Sequence, residues 1–302
     1  MEVFKWILDT RPLWPEAKET KQLAVVAKRA LALLSAEEQT QVLKYYFVKD
    51  AKLAIGSALL KRLAISRYGG VGWAEAQWTR DARTKPVFLR PDGSEPVLFN
   101  VTHQAGVVAL VALVGRPPSS AASVAIGVDI VCASERRARD HASIAADGWP
   151  RYVAVHEDVF SPGETARLNG LSFDDDDGRD ERGGEAGRDR RLAYFYTLWC
   201  LREAYIKMTG DALLAPWLRE LDFRYFAPPG ERPPERRAME VWFRDRRVDD
   251  VHMRLERLLD DDYVLCTAVR CGSADRPHLE AQVARPVAAL VLDEVLDEAE
   301  AA

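Results

Sequence analysis

Apolar residues in this chain follow two different periods, and the switches between them lay out the elements. Several stretches alternate at every second position, the period of a strand with one face in a core. These are Val97-Leu-Phe-Asn-Val-Thr102, the Val/Ala/Leu-rich 107–114 and Ser123-Val-Ala-Ile-Gly-Val-Asp-Ile-Val131, with shorter β-rich runs at 239–244 and 262–270. Helical spacing occupies about 16–34, 36–48, 50–67, 161–170 and 190–209. Strands and helices do not alternate regularly, so the pattern predicts an α+β fold with antiparallel sheets. A tight turn is expected at His103 to Gly106, between the first two strands.

The clearest helix runs from Leu192 to Met208 without Gly or Pro and stops at Gly210, a glycine placed to cap it. Leu198, Leu201, Tyr205 and Met208 make an apolar stripe for a core. Glu203 and Lys207 are four apart and share another face, with Trp199 one turn before. Alone, that is an ordinary surface ion pair worth about a few tenths of a kcal/mol.

A second carboxylate changes the picture. In the 123–131 strand, Val124, Ile126, Val128 and Ile130 share one face, and Gly127, Asp129 and Val131 the other. A carboxylate among apolar strand neighbours needs a cation or several donors, and a structural arginine would serve. Gly127 leaves room for a large group to approach. A strand Asp and a helix Glu also suit Mg²⁺, which takes one or two carboxylates and leaves its other positions to water and phosphate. Thr102 and His103 end a strand, where loops meet ligands. Upstream, Arg80, Arg83, Lys85 and Pro86 form a cationic loop, its lysine held by the following proline. Ser161 and Glu164, with Pro162 at the first helical position, form a capping box.

In this order, Lys85-Pro86, Phe99-Asn-Val-Thr-His103, Gly127-Val-Asp-Ile130 and Trp199-x-x-Arg-Glu-Ala-x-x-Lys207, the segments resemble the 4′-phosphopantetheinyl transferases of the large, single-chain, Sfp-like type. Tyr45-Tyr-Phe-Val-Lys-Asp-Ala-Lys52 with Gly56 to Arg62, and Val159-Phe-Ser-Pro-Gly-Glu164 with Leu168, resemble two further family segments. The likeness covers about residues 35 to 270. It implies two similar α/β halves forming a pseudo-dimer. The first half would be 1–118, on the nucleotide side of coenzyme A, with a connector at Gly115 to Ser120. The second would be 119–292, carrying metal and catalytic helix; within it the Asp-, Arg- and Gly-rich stretch 172–191, with almost no apolar content, reads as a disordered insertion, and an acidic tail at 293–302 is expected to fray.

The activity implied is magnesium-dependent transfer of 4′-phosphopantetheine from coenzyme A to a serine of acyl or peptidyl carrier domains, releasing adenosine 3′,5′-bisphosphate. Such domains belong to fatty-acid, polyketide and nonribosomal-peptide synthases and to aminoadipate reductase. By position, Asp129 and Glu203 would hold Mg²⁺, and Glu203 would also take the serine proton. Lys207 and His103 would contact the phosphates. Arg80, Arg83, Lys85 and Pro86 would line the adenosine and 3′-phosphate pocket beside Asn100 to Thr102, with Lys44 and Lys49 as further candidates.

Two positions depart from the bacterial pattern. Val131 stands where many members carry a second acid, and water held by Gln104 would replace that oxygen. Arg202 stands in place of a lysine, keeping charge but changing geometry. Both features resemble the fungal and animal branch. A metal-dependent phosphohydrolase, or a non-catalytic coenzyme A or carrier-binding protein, are the rival readings.

Composition narrows the class further. The 302 residues, with 48% hydrophobic and 9% aromatic content, describe a globular chain. A net charge of −5 argues against general nucleic-acid binding. No apolar run reaches about eighteen residues and no signal-peptide pattern opens the chain, so no membrane role is expected. Cys132, Cys200, Cys266 and Cys271 form no Cys-x-x-Cys pair, which predicts free thiols in a reducing cytoplasm. A monomer is expected. His141, His156, His252 and His278 lack metal-ligand spacing.

Overall fold

A computed structural model of the chain describes residues 1–115, 124–173, 184–211, 215–233, 236–260 and 262–302. In order come β1 (Glu2–Asp9), α1 (Leu23–Val26), α2 (Lys28–Ala32), α3 (Ala36–Leu43), α4 (Val48–Gly69), β2 (Thr79–Arg80), β3 (Pro86–Val87), β4 (Val97–Gln104) and β5 (Val107–Val114). Next are β6 (Ala125–Cys132), α5 (Ala133–Asp147), α6 (Trp149–Ala154), α7 (Pro162–Asn169) and α8 (Glu185–Thr209). The chain ends with β7 (Leu221–Arg224), β8 (Glu240–Phe243), β9 (Arg246–Arg247), β10 (Val251–Leu258), β11 (Tyr263–Arg270), α9 (Arg276–Val283), β12 (Ala288–Ala289) and α10 (Leu292–Ala301). The fold is α+β, as the periodicity predicts. Contacts divide it into two compact units, one of residues 1–129, 207–210 and 269–302, the other of 130–206 and 211–268.

The first unit is built on a sheet of order β12-β1-β5-β4, antiparallel except for the β1–β12 edge. The sequence pattern misses β1 because Lys5 interrupts its apolar run. Lys5 is nonetheless buried, and its ammonium donates to the Val283 carbonyl at 2.6 Å. Helix α4 packs on this sheet at close range. A Cβ on Gly56 would lie 3.1–3.3 Å from Thr10, Val108 and Leu8, so this turn of the helix has no room for a side chain. The β4–β5 turn is tighter than expected. Only Ala105 and Gly106 leave the ladder, both at positive φ, and His103 and Gln104 remain in the strand.

Two expectations in this unit require correction. The single helix at 16–34 is a short helical turn followed by α1 and α2, interrupted at Ala27 (φ −103°, ψ 19°). The break lets Leu23, Ala27, Ala30 and Leu31 all reach the core. The acidic tail does not fray: Leu292, Val295, Leu296 and Ala299 are buried as one face of α10. Its acids are met by Arg29, which binds Asp297 and Glu300, and by Arg67, which binds Glu298.

The second unit contains α5 to α7, most of α8, the sheet of order β7-β8-β9, β10 and most of β11; β6 belongs to the first unit through Asp129. The apolar stripe of α8 lies where its spacing places it, with Leu198, Leu201, Tyr205 and Met208 buried. Residues 185–191, expected within a disordered insertion, form the first turns of α8. Arg137 from α5 binds Glu185 and Asp189, and His141 binds Asp189 at 2.7 Å, so the polar turns are paired with a neighbouring helix. Residues 174–183 of that insertion, and residues 116–120 of the expected connector, lie outside the described residues. The capping box forms as read: Ser161 Oγ accepts from Glu164 N, and Glu164 Oε2 accepts from Ser161 N.

Candidate active site

Alternation in β4 sends its residues two ways. Phe99 and Val101 pack on the core, whereas Asn100 and Thr102 reach β6. Asn100 is buried, and its side-chain oxygen accepts from the Val128 amide at 2.9 Å, fixing β4 beside β6. That bond sets the Thr102 hydroxyl against Asp129, to which it donates at 3.0 Å. Lys207, on the last turn of α8, closes the group. Its ammonium donates to Asp129 Oδ1 at 2.6 Å and to Thr102 Oγ1 at 2.9 Å. The strand carboxylate therefore has its cation, supplied by the lysine of the helix motif.

A cavity of about 320 Å³ opens over this group, lined by Lys61, Trp78, Arg80, Pro86, Thr102, His103 and Lys207 among others. A larger one of about 740 Å³ shares Lys61, Trp78, Arg80 and His103 and extends to Glu38 and Tyr45. Lys61, Arg80 and Lys207 converge here with an imidazole, a lining whose chemistry favours anions. Protein around the His103 ring, and then the Lys207 charge, lower its pKa, so the imidazole is neutral near pH 7. A neutral ring can donate a hydrogen bond to phosphate without adding charge.

The cationic loop is folded by one side chain. Asp81 Oδ1 accepts from the amides of Arg83 and Lys85, both at 2.9 Å, and Thr84 takes a positive φ of 65° between β2 and β3. The four candidates then diverge. Lys85 donates to the Ile126 carbonyl at 3.0 Å, and burial lowers its pKa. Arg83 donates to the Thr209 carbonyl at 2.6 Å and so caps the end of α8 beside Gly210. Arg80 lies over the Trp78 ring, 5.4 Å from its centroid, at the cavity. Lys44 and Lys49 are exposed at the end of α3 and start of α4, and neither lines these cavities.

Glu203 is half-buried on α8, one turn before Lys207. Its neighbour Arg202 has a different environment. Arg202 is buried, donates to Glu164 Oε2 at 2.6 Å and to the Leu221 carbonyl at 3.0 Å, and also reaches the Leu218 carbonyl. Glu164 is itself fully buried and accepts from the Phe223 amide at 2.8 Å. Burial raises the Glu164 pKa, and the Arg202 charge opposes that rise. Gln104 is half-buried at the end of β4.

Among the described residues, no group of three or more His, Cys, Asp or Glu side chains is placed to hold a metal ion. The Asp129 carboxylate and Thr102 hydroxyl are hard oxygen donors, a set that fits a magnesium ion keeping most of its shell as water and phosphate oxygen. Sequence reasoning missed Lys61 and Trp78. Lys61 lies in Leu59-Leu-Lys-Arg-Leu63, where it reads as an ordinary solvated helix lysine.

Residues 22–115 match the family described as 4′-phosphopantetheinyl transferase, N-terminal, and residues 125–268 match the 4′-phosphopantetheinyl transferase superfamily. A 4′-phosphopantetheinyl transferase 1 of Fusarium mangiferae is 52% identical over 270 residues, which are 89% of this chain and 87% of that protein. A 4′-phosphopantetheinyl transferase of Aureobasidium melanogenum is 34% identical over 88% of this chain and 90% of its own length. An L-aminoadipate-semialdehyde dehydrogenase-phosphopantetheinyl transferase of Pongo abelii is more distant, 26% identical over 61% of this chain and 50% of its own.

Proposed function

The chain belongs to the 4′-phosphopantetheinyl transferase superfamily, on its fungal and animal side, and from that premise we propose how its residues carry out the reaction. It is a transferase that moves the phosphopantetheine of coenzyme A to carrier proteins. The observation that carries the site assignment is the cavity lined by Lys61, Arg80, Thr102, His103 and Lys207, whose Thr102 and Lys207 bind Asp129.

In our reading, His103 and Lys207 bind the pyrophosphate and offset charge on the leaving adenosine 3′,5′-bisphosphate. Arg80, Lys85 and Pro86 face the adenosine side. Arg83 instead holds the end of α8, since its guanidinium is committed to Thr209. Glu203 accepts the proton of the incoming carrier serine, a poor nucleophile that needs a positioned base. Asp129 and Glu203 would hold magnesium, which when bound neutralises pyrophosphate charge. Substrates are proposed to be carrier domains of polyketide, nonribosomal-peptide and fatty-acid synthases and of aminoadipate reductase, acted on by a monomer in the cytoplasm. The four buried free cysteines support that compartment, and no described helix is long and apolar enough to cross a membrane.

Incubation with coenzyme A, Mg²⁺ and an apo carrier protein, followed by intact mass, tests this. We expect the carrier to gain one phosphopantetheine, and the gain to vanish in Glu203→Ala or when Mg²⁺ is chelated. No gain with several carriers overturns the reading, and release of free phosphopantetheine without a carrier would establish a hydrolase instead.

A further inference from the structure

Lys61, on α4, lines both of the cavities described above, and its environment is unusual for a lysine. It is 8% exposed, and its ammonium lies 3.4 Å from the centroid of the Trp78 ring. Among the described residues this ammonium makes no hydrogen bond or ion pair. The ring is itself pinned, because Trp78 Nε1 donates to Glu38 Oε1 at 3.2 Å. Glu38 is the acid that acts electrostatically on Lys61, yet its oxygens are already engaged. Oε2 accepts from Arg62 Nε and Nη2 at 2.9 and 2.7 Å and from the Ser35 amide at 2.9 Å. A buried ammonium with three donors and only an aromatic face is under-satisfied, and such a charge costs stability unless a ligand completes it.

We propose that Lys61, held by Trp78, is an anion-binding residue whose partner is the pyrophosphate of the coenzyme A substrate. The assignment rests on the transferase reading and adds a residue to it. Lys61 shares the smaller cavity with His103, Thr102 and Lys207, so one phosphate group placed there is within the reach of both lysines. The direction of its titration agrees. Burial pushes the Lys61 pKa down to about 7, with Arg80 and Arg62 adding to the fall and Glu38 opposing it. A dianionic ligand would supply the missing counter-charge.

The test is calorimetric binding of coenzyme A and of dephospho-coenzyme A, which lacks the 3′-phosphate, to the full chain. Lys61→Met keeps most of the length of the side chain, one atom shorter, and removes its charge. We expect about tenfold weaker binding of both ligands, the scale of one charge-assisted hydrogen bond, with most of it restored by Lys61→Arg. Trp78→Leu should weaken both ligands in the wild-type background and add nothing in the Lys61→Met background. The unliganded Lys61→Met protein should melt at or above the wild-type temperature. Equal affinity in Lys61→Met overturns the proposal. A loss for coenzyme A alone also overturns it, because Lys61 would then serve the 3′-phosphate. Wild-type protein that binds no coenzyme A would sink the transferase reading and this inference together. Wild-type transfer with unchanged binding in Lys61→Met would sink this inference only.

Discussion

Two carboxylate–cation pairs in this molecule have similar chemistry and opposite purposes. Glu164 and Arg202, in the second unit, are buried at 0% and 1% exposure, and the oxygens of Glu164 are met by the Arg202 guanidinium and two backbone amides. Arg202 additionally holds two carbonyls, so the pair ties α7, α8 and β7 together and offers a ligand no free oxygen lobe. Asp129 and Lys207, in the first unit, form a pair whose lysine lines a cavity and is 29% exposed. The same helix supplies Arg202 to one and Lys207 to the other. Within one motif, therefore, neighbouring positions divide between a pair closed off inside the fold and a pair open to a cavity, and what separates them is solvent access. The Arg-for-Lys difference at residue 202 belongs to the scaffold side. The planar guanidinium reaches a carboxylate and two carbonyls together, which a single ammonium does not reproduce geometrically.

The largest expected effect lies between adjacent residues. Glu203→Gln should lower carrier modification by about 10²–10⁴-fold, followed by intact mass over time, while leaving coenzyme A affinity and the urea midpoint near wild type. Arg202→Met should do the reverse. Leaving Glu164 buried without its cation should cost about 3–5 kcal/mol in urea unfolding, and the double change Glu164→Met/Arg202→Met should recover most of it. A Glu203→Gln variant that unfolds, or an Arg202→Met variant that stays stable but inactive, breaks the division of roles.

Lys207→Met sharpens the other pair. It removes the proposed phosphate contact and the ammonium that donates to Asp129 Oδ1, while the Thr102 hydroxyl still donates to that oxygen. Coenzyme A binding should fall by about tenfold or more, with a stability loss of about 1–3 kcal/mol, smaller than that of Arg202→Met because the site is open to water. The smallest effect is in pH dependence. The folded-state pKa of Lys61 is about 7 against an ordinary lysine value of 10.5, so between those values the unfolded chain binds a proton that the folded chain does not. Stability should therefore rise with pH from 7 to 9, by up to about 1.4 kcal/mol per unit from this group. Urea midpoints at pH 7, 8 and 9 should show a shallower rise in Lys61→Met; an unchanged slope would mean that the ammonium is well solvated.

Much of this was legible in one dimension because it depends on local order. The stripe of α8, its glycine stop, the capping box at Ser161 and the alternation of β4 and β6 each follow from residues a few positions apart. The motif order led to the family, and the comparisons agree with it. Strand β1 was hidden because a lysine buried against a carbonyl 278 residues away looks like a polar interruption. Helix α10 was hidden because its acids find their arginines on α2 and α4.

The division that remains is between chemistry and pairing. Residue type and spacing specify which groups are present on an element and which face they share, so Asp129, His103, Glu203 and Lys207 could be picked out as candidates. Which cation meets which carboxylate is settled by packing between distant segments. That is why Lys207 binds Asp129, Arg83 caps α8 instead of lining the cavity, and an unremarkable helix lysine, Lys61, sits over an indole at the wall of that cavity. Burial makes such pairings decisive, because only when water is excluded does the identity of one partner change the charge, and the role, of the other.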